Sequence, residues 1–350
     1  MPSERGSATD PRSSPDERLG GLDESSLIAR IRQRLPAAPD WLVVDIGDDA
    51  AVYEPPRNQL EVITTDALVD GVHVDRRFVP PEAIGHRAVA VNLSDLAAMG
   101  ASPRLLTVSL ALPGDLTLAH FDELIGGALA LAGRSGARLV GGNLTATPGP
   151  LVVDVTAVGS VHRRRILRRT GARPGDYIFV SGHPGTARAG LAALAEAGAR
   201  GRDEWPSLAA QYLLPEPRIA LGRALASSAA VSAAIDLSDG LADGLRRLTD
   251  AQGLGCLVDA GRLPVSDDTR RFWDVRHRDA LAETMAGGDD YELLFTARPK
   301  TGRRLAAALK TVPGVTVTRI GSVTRERGCW LVDAQGGRTP VAGGYDHFSR

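Results

Sequence analysis

One segment limits the possible architectures more than any other. Residues 82–99 read as a helix, with Ile84, Ala88 and Val91 on one face and Val89, Leu93 and Leu96 on the opposite side. A helix that is apolar nearly all round has no face for water and must be covered on several sides. The helix is therefore expected to be buried. Asp95 lies four residues after Val91 and eleven after Ile84, on the first stripe. An unpaired carboxylate in such a helix is expensive. Either it caps a neighbouring segment or it coordinates a metal ion.

The 350 residues around this helix suffice for two domains, each with its own core. Residues 1–22, rich in Ser, Pro, Gly and charge, are predicted to be a disordered tail. Asp23 is a candidate N-cap, with Leu27, Ile28, Ile31 and Leu35 at helical spacing behind it and Pro36 as the stop. Strands are predicted at 41–44 and 60–65, the second ending at Asp66. Further strands are expected at 105–112, 138–141 and 151–159, with a helix over 117–133. Six arginines then fall within eleven positions (Arg163, Arg164, Arg165, Arg168, Arg169 and Arg173). The domain boundary is placed just before them, giving domains 23–160 and 161–350. The second half restarts with a strand at 177–181, a glycine-rich turn and a helix through Leu194. A helix over 217–229 then precedes a strand ending in Asp236. Both halves mix helices and strands, so the fold class is α/β or α+β.

Apolar residues make up 43% of the chain and charged residues 24%, an ordinary globular balance. With 41 basic and 42 acidic side chains the net charge is −1, so no global field draws the chain toward nucleic acid or an anionic membrane. No run of ~18 apolar residues exists to span a bilayer, and the first 22 residues lack the apolar core of a secretory signal. The expected compartment is the cytoplasm, with Cys256 and Cys329 as two reduced thiols.

The informative residues are acidic and sit beside glycine or at strand ends: Asp48-Asp49 after Gly47, Asp66 after Thr64-Thr65, Asp236 and Asp239 in IDLSDG, Asp289-Asp290 after Gly287-Gly288. Any one group reads as a cap or turn. Several in the same context suggest a site. Two carboxylates ~4 Å apart repel by about 4 kcal/mol at an effective dielectric near 20, so a cluster needs cations, and oxygen ligands select hard ions such as magnesium. Spacing does not show whether these residues converge. The SGHPGTARAG segment (181–190) follows a strand and opens a helix, but it lacks a Walker ending and reads best as a structural turn. No Ser-His-Asp or Cys-His set stands out, and an already ionised phosphate acceptor needs no general base.

The strings IGDDAAV, TTDALVDGVHV, AVNLSDLAAMGASP, GGN, LRRTGARPGD, IDLSDGLADGL, GGDDYELLF and GGYDHF, between residues 46 and 348, together resemble the thiamine-monophosphate kinase family of the aminoimidazole-ribonucleotide-synthetase-like superfamily. The resemblance implies a two-domain fold whose N-terminal mixed-sheet domains pair in a homodimer. It also implies magnesium-dependent in-line transfer from ATP to thiamine monophosphate. By position, Asp49, Thr64, Thr65, Asp66, Asp95, Asp236 and Asp239 match metal ligands. Gly142, Asn143, Arg169 and Ser238 match nucleotide contacts, and His73, Asp289 and Tyr345 match thiamine contacts.

Two residues depart from the family pattern. Asn143 stands where Asp is usual, so an amide replaces a charged metal ligand. Asp289 stands where Glu is frequent, a carboxylate about 1.5 Å closer to the backbone. These departures leave a non-catalytic nucleotide-binding homologue as the alternative. Other enzymes of the superfamily compete less well, because the expected cysteine motifs are missing and the GGYDHF ending is present.

Overall fold

Two sheets with a buried helix between them organise the chain, of which this computed structural model describes residues 16–344. Order begins before Asp23. Leu19 is buried, its amide reaches the Leu116 carbonyl at 2.9 Å, and Arg18 bridges to Thr117. The predicted tail is thus corrected at its end: residues 16–22 are held because Leu19 buries its side chain. Residues 1–15 lie outside the described residues. Asp23 caps helix α1 (Glu24–Gln33) by accepting the Ser26 amide at 2.9 Å.

A small hairpin, β1 (Leu42–Val44) with β2 (Val52–Tyr53), precedes the first sheet. That sheet holds β3 (Leu60–Val69), β4 (Ser102–Pro113), β5 (Arg138–Thr147) and β6 (Val152–Val161) in the order β3-β6-β4-β5, with only β4/β5 parallel. Two strands run well past their predicted C-terminal ends. β5 continues to Thr147 because β4 offers it a ladder as far as Pro113, and pairing overrides the weak propensity of Gly141 and Gly142. β3 continues to Val69, so Asp66 is inside the strand.

Helices α2 (Pro81–Ala98) and α3 (Leu118–Arg134) share the core of this half. They touch backbone to backbone through two glycines. A Cβ on Gly85 would stand 1.8 Å from the Leu124 carbonyl oxygen, and one on Gly127 2.0 Å from that of Glu82. From Ala83 to Ala98 every residue of α2 is buried except Asp95.

The second half contains α4 (Thr186–Ala197), α5 (Ala199–Glu204), α6 (Pro206–Leu213), α7 (Ile219–Ser228) and α8 (Leu241–Thr249). Among the described residues its sheet has seven strands: β7 (Tyr177–Ser181), β8 (Val231–Asp236), β9 (Gly255–Asp259), β10 (Leu293–Ala297), β11 (Val317–Thr324), β12 (Gly328–Val332) and β13 (Arg338–Pro340). The order is β13-β12-β9-β11-β7-β10-β8, and only β12/β9 is parallel. Cys256 and Cys329, distant in sequence, are register partners on those two strands and are both free and buried. α7 packs against the C-terminal end of α2, where Gly222 leaves room for the Ala97 carbonyl. α2 is therefore covered from both halves, as its composition requires. Among the described residues no helix is long and apolar enough to cross a membrane.

Candidate active site

A cleft of about 670 Å³ opens where β3 and α2 of the first half face the end of β8 and the 286–291 loop of the second. Asp66, Asp95, Asp236 and Asp239 all line it, with Arg169, Ser238, His73 and Asp289. Four acidic residues separated by as many as 173 positions are therefore neighbours. Strand alternation decides which part of β3 contributes. Thr64 turns toward α2, where its hydroxyl donates to Asp95 Oδ2, and Asp66 shares that side. Thr65 turns the other way, toward Asp154 Oδ1 (3.3 Å) and the Val155 carbonyl (3.2 Å). Asp95 thus has a hydroxyl partner and opens the otherwise sealed helix into the cleft.

The electrostatics show how crowded the acids are. Partial desolvation by the cleft walls, followed by the charge of Asp95, pushes the Asp66 carboxyl up to about 6, with Asp239 and Asp154 adding to the effect. Burial first, and Asp95 second, push Asp236 up to about 7. The hydroxyl of Ser94 at 2.8 Å and the positive Arg169 pull against that shift. Asp239 is partly compensated by Arg247, whose Nη2 lies 3.1 Å from its Oδ2. Among the described residues no three His, Cys, Asp or Glu side chains stand in position to enclose one metal ion by themselves. The donor set still suits magnesium, which normally takes one or two carboxylates and completes its shell with water and substrate phosphates.

The 287–292 loop disposes of its acids one by one. Asp289 and Tyr291 both adopt left-handed backbone conformations (φ 67° and 52°), rare for such side chains. Backbone bonds from Asp289 to the Ser238 carbonyl (2.7 Å) and from Tyr291 to that of Leu237 (2.9 Å) hold this shape. Asp290 then points inward and accepts the Gly185 and Ala187 amides (2.7 and 3.2 Å) at the start of α4. The N-terminus of α4, the anion-facing feature of SGHPGTARAG, is occupied by the protein's own carboxylate. Glu292 accepts from Arg218 Nε (2.7 Å) and the Ser181 hydroxyl (2.5 Å).

Besides Thr65, three predicted residues are not brought to the cleft. Asp49, Gly142 and Asn143 line a second cavity of about 920 Å³, bounded by α1, the 46–51 loop and residues of β4, β5 and β6. The expectation that all the acids meet in one pocket is corrected to this extent: β3 separates the two cavities, with Asp154 on the far side. Tyr345 lies outside the described residues, although Gly343 and Gly344 do line the cleft. His73 borders the cleft and orders its own loop, its Nδ1 accepting the Val69 amide at 3.1 Å.

Comparison with known proteins decides the family. The AIR synthase related protein, N-terminal domain, matches residues 47–161, and the corresponding C-terminal domain matches residues 173–332. Thiamine-monophosphate kinase of Escherichia coli K12 is 39% identical over 338 residues, covering 93% of this chain and 98% of that protein. The chain belongs to the thiamine-monophosphate kinase family. The crystal structure of thiamine-monophosphate kinase from Stenotrophomonas maltophilia K279a matches with a TM-score of 0.77 and 36% identity, over 90% of this chain and 96% of that one. A structure of AaThiL complexed with AMPPCP and TMP matches with a TM-score of 0.74 and 30% identity, over 96% of this chain and all of that one.

Several side chains of this family member's cleft escaped sequence reasoning. Arg247 and Arg188 line it, Arg247 pairing with Asp243 on α8 and with Asp239 just before that helix. The i,i+4 spacing from Asp243 was the available signal. Arg87 was missed although the argument applied to Asp95 also covers it: a charge on an all-apolar helix demands a partner. That partner is Asp289, 2.7 Å away.

Proposed function

We propose that the chain transfers the γ-phosphoryl group of ATP to the phosphate of thiamine monophosphate, forming thiamine diphosphate and ADP. The observation that carries this reading is the gathering of Asp66, Asp95, Asp236 and Asp239 in one cleft, with Asp66 and Asp236 held well above the usual carboxylate range. Such crowding favours a bound cation. Magnesium held by these four residues would neutralise phosphate charge and align the two phosphates. Thr64 and Ser94 orient Asp95 and Asp236 by their hydroxyls. Arg169 supplies a guanidinium fork for a phosphate, and Ser238 a hydroxyl beside it.

Asp49, Thr65, Gly142 and Asn143 are assigned to an outer part of the nucleotide site beyond β3. Asp154 links the two sides, since it lines the second cavity and its charge reaches Asp66. His73 and Asp289, with Tyr345, are assigned to the thiamine end. The acceptor phosphate is an anion at neutral pH and needs no proton removed, so the transfer calls for no general base. A homodimer built through the N-terminal sheet belongs to the same proposal, supported by Ile63, which is 73% exposed on β3. So does a cytoplasmic location, supported by two free thiols.

The test is turnover of ATP with thiamine monophosphate and magnesium, followed by the appearance of thiamine diphosphate, with thiamine as control acceptor. Formation of thiamine diphosphate that needs both magnesium and the phosphorylated acceptor is expected. ATP binding without that product would favour the non-catalytic reading motivated by Asn143.

A further inference from the structure

The same substrate reading leaves one group unexplained: a fully buried arginine that touches no other cleft acid. Arg87 has no solvent exposure, and its guanidinium lies 4.2 Å over the Tyr212 ring. Its Nη1 donates to the Tyr212 carbonyl and its Nη2 to Asp289 Oδ1 at 2.7 Å. The Tyr291 hydroxyl donates to that same oxygen at 3.0 Å. Both donors thus converge on Oδ1. Among the described residues no hydrogen bond reaches Oδ2, while the Asp289 side chain is 32% exposed and lines the cleft.

We propose that Arg87 and Tyr291 are positioning residues that fix Asp289 Oδ1 so that Oδ2 is presented to substrate, making the Arg87–Asp289 pair a specificity determinant. The geometry favours this over simple glue between the halves. The backbone at Asp289 is pinned by its bond to Ser238 and by its left-handed conformation, so the loop has no freedom to adjust the carboxylate. Position must be set by side-chain length. A long, rigid guanidinium reaches across from α2 and meets the short carboxylate of an aspartate. Lengthening the acid by one carbon–carbon bond, about 1.5 Å, drives it into the guanidinium or off its donors. Shortening the base breaks the bond instead, because a lysine ammonium on its shorter reach falls short of Oδ1.

The arrangement also selects a ligand chemistry. A carboxylate whose charge is already shared with a buried guanidinium favours a neutral N–H donor over a free cation. Given the reading of thiamine monophosphate as acceptor, the matching group is the amino substituent on its pyrimidine ring. Oxythiamine monophosphate, which carries an oxo group there, lacks that donor.

Steady-state kinetics with both acceptors on Asp289→Glu, Arg87→Lys, the double variant and Tyr291→Phe test the idea. Each of the first two singles is expected to raise KM for thiamine monophosphate about tenfold and to leave KM for ATP within twofold. Both should also lose most of the wild-type preference over oxythiamine monophosphate. The double variant, in which the longer acid meets the shorter base, is expected to recover most of the loss. Tyr291→Phe is expected to raise the acceptor KM about threefold with an unchanged melting temperature. Equal changes in KM for both substrates, or no recovery in the double variant, would overturn the proposal. An inactive wild-type protein would instead sink the substrate reading itself, so the two failures are told apart.

Discussion

Two groups of acids in this molecule meet opposite fates. Asp290 and Glu292 are nearly inaccessible, at 1% and 2% exposure, yet each is given donors: two helix amides for one, a guanidinium and a hydroxyl for the other. Asp66 and Asp236 stand at a cleft with other carboxylates among their strongest electrostatic neighbours. A buried acid whose donors come from the fold itself belongs to the fold, even where burial pushes its carboxyl well above the ordinary range, as it does for Asp290. A cluster of acids left short of cations carries repulsion that a proton or a bound cation relieves. Asp236, at 6% exposure, lies nearly as deep as the loop acids and differs from them in its partners, whereas Asp66 is also exposed at the cleft.

The largest expected effect tests the cleft side of this contrast. Asp66→Ala and Asp95→Ala are each expected to lower kcat at least ~10³-fold, about 4 kcal/mol of transition-state stabilisation. The melting temperature should stay the same or rise, since repulsion is removed. Loss of fold with retained activity per folded molecule would place these acids with Asp290 and Glu292.

The opposite outcome is expected on the loop side. Arg218→Ala strips Glu292 of its guanidinium in a buried setting and should cost roughly 3–5 kcal/mol of stability, measured by urea unfolding. Activity of the molecules that remain folded should change far less than in the Asp95 variant.

Much of this division was readable in the sequence, and its limits are physical. The all-apolar pattern of α2 announced a helix covered from both halves, and the charge at Asp95 announced a special site. Thr64 and Thr65 show where legibility ended. Their types are interchangeable, but strand alternation sends one hydroxyl to Asp95 and the other to the far side of β3. Asp289 and Asp290 pose the same problem in a loop. A left-handed backbone at Asp289 turns adjacent identical residues in opposite directions, one toward Arg87 and one toward α4. Asn143 lines the second cavity from within β5, a strand that continues past Val140 because β4 pairs with it.

A pH titration sharpens the comparison at lower cost. The folded-state values of Asp66 and Asp236 lie above the ordinary carboxylate value, at about 6 and about 7. Their protonated forms are therefore favoured by folding. Their contribution to stability is full below the unfolded-state value of ~4 and is lost as pH rises through 6 and 7. Metal-free protein is expected to melt a few degrees higher at pH 5.5 than at pH 8, apart from contributions of other groups, and Asp66→Asn should flatten that slope. Saturating magnesium with ATP should flatten it too, by replacing protons with metal. A slope that survives both changes would show that the cleft acids are not its source.

The smallest effect is expected from Asn143→Asp, which replaces the amide with the carboxylate that the family resemblance implies there. Asn143 is exposed in the second cavity, its amide at 3.5 Å from the Ser109 hydroxyl, with Asp49 and Asp154 lining the same space. A new charge there adds to like charges and is only partly screened, so tighter metal binding and greater repulsion oppose each other. KM for magnesium-bound ATP should therefore change by less than about threefold. A gain above tenfold in kcat/KM would mean that the far side of β3 acts as one site with the cleft. The contrast would then lie between that joined site and the self-satisfied loop, with β3 no longer a divide.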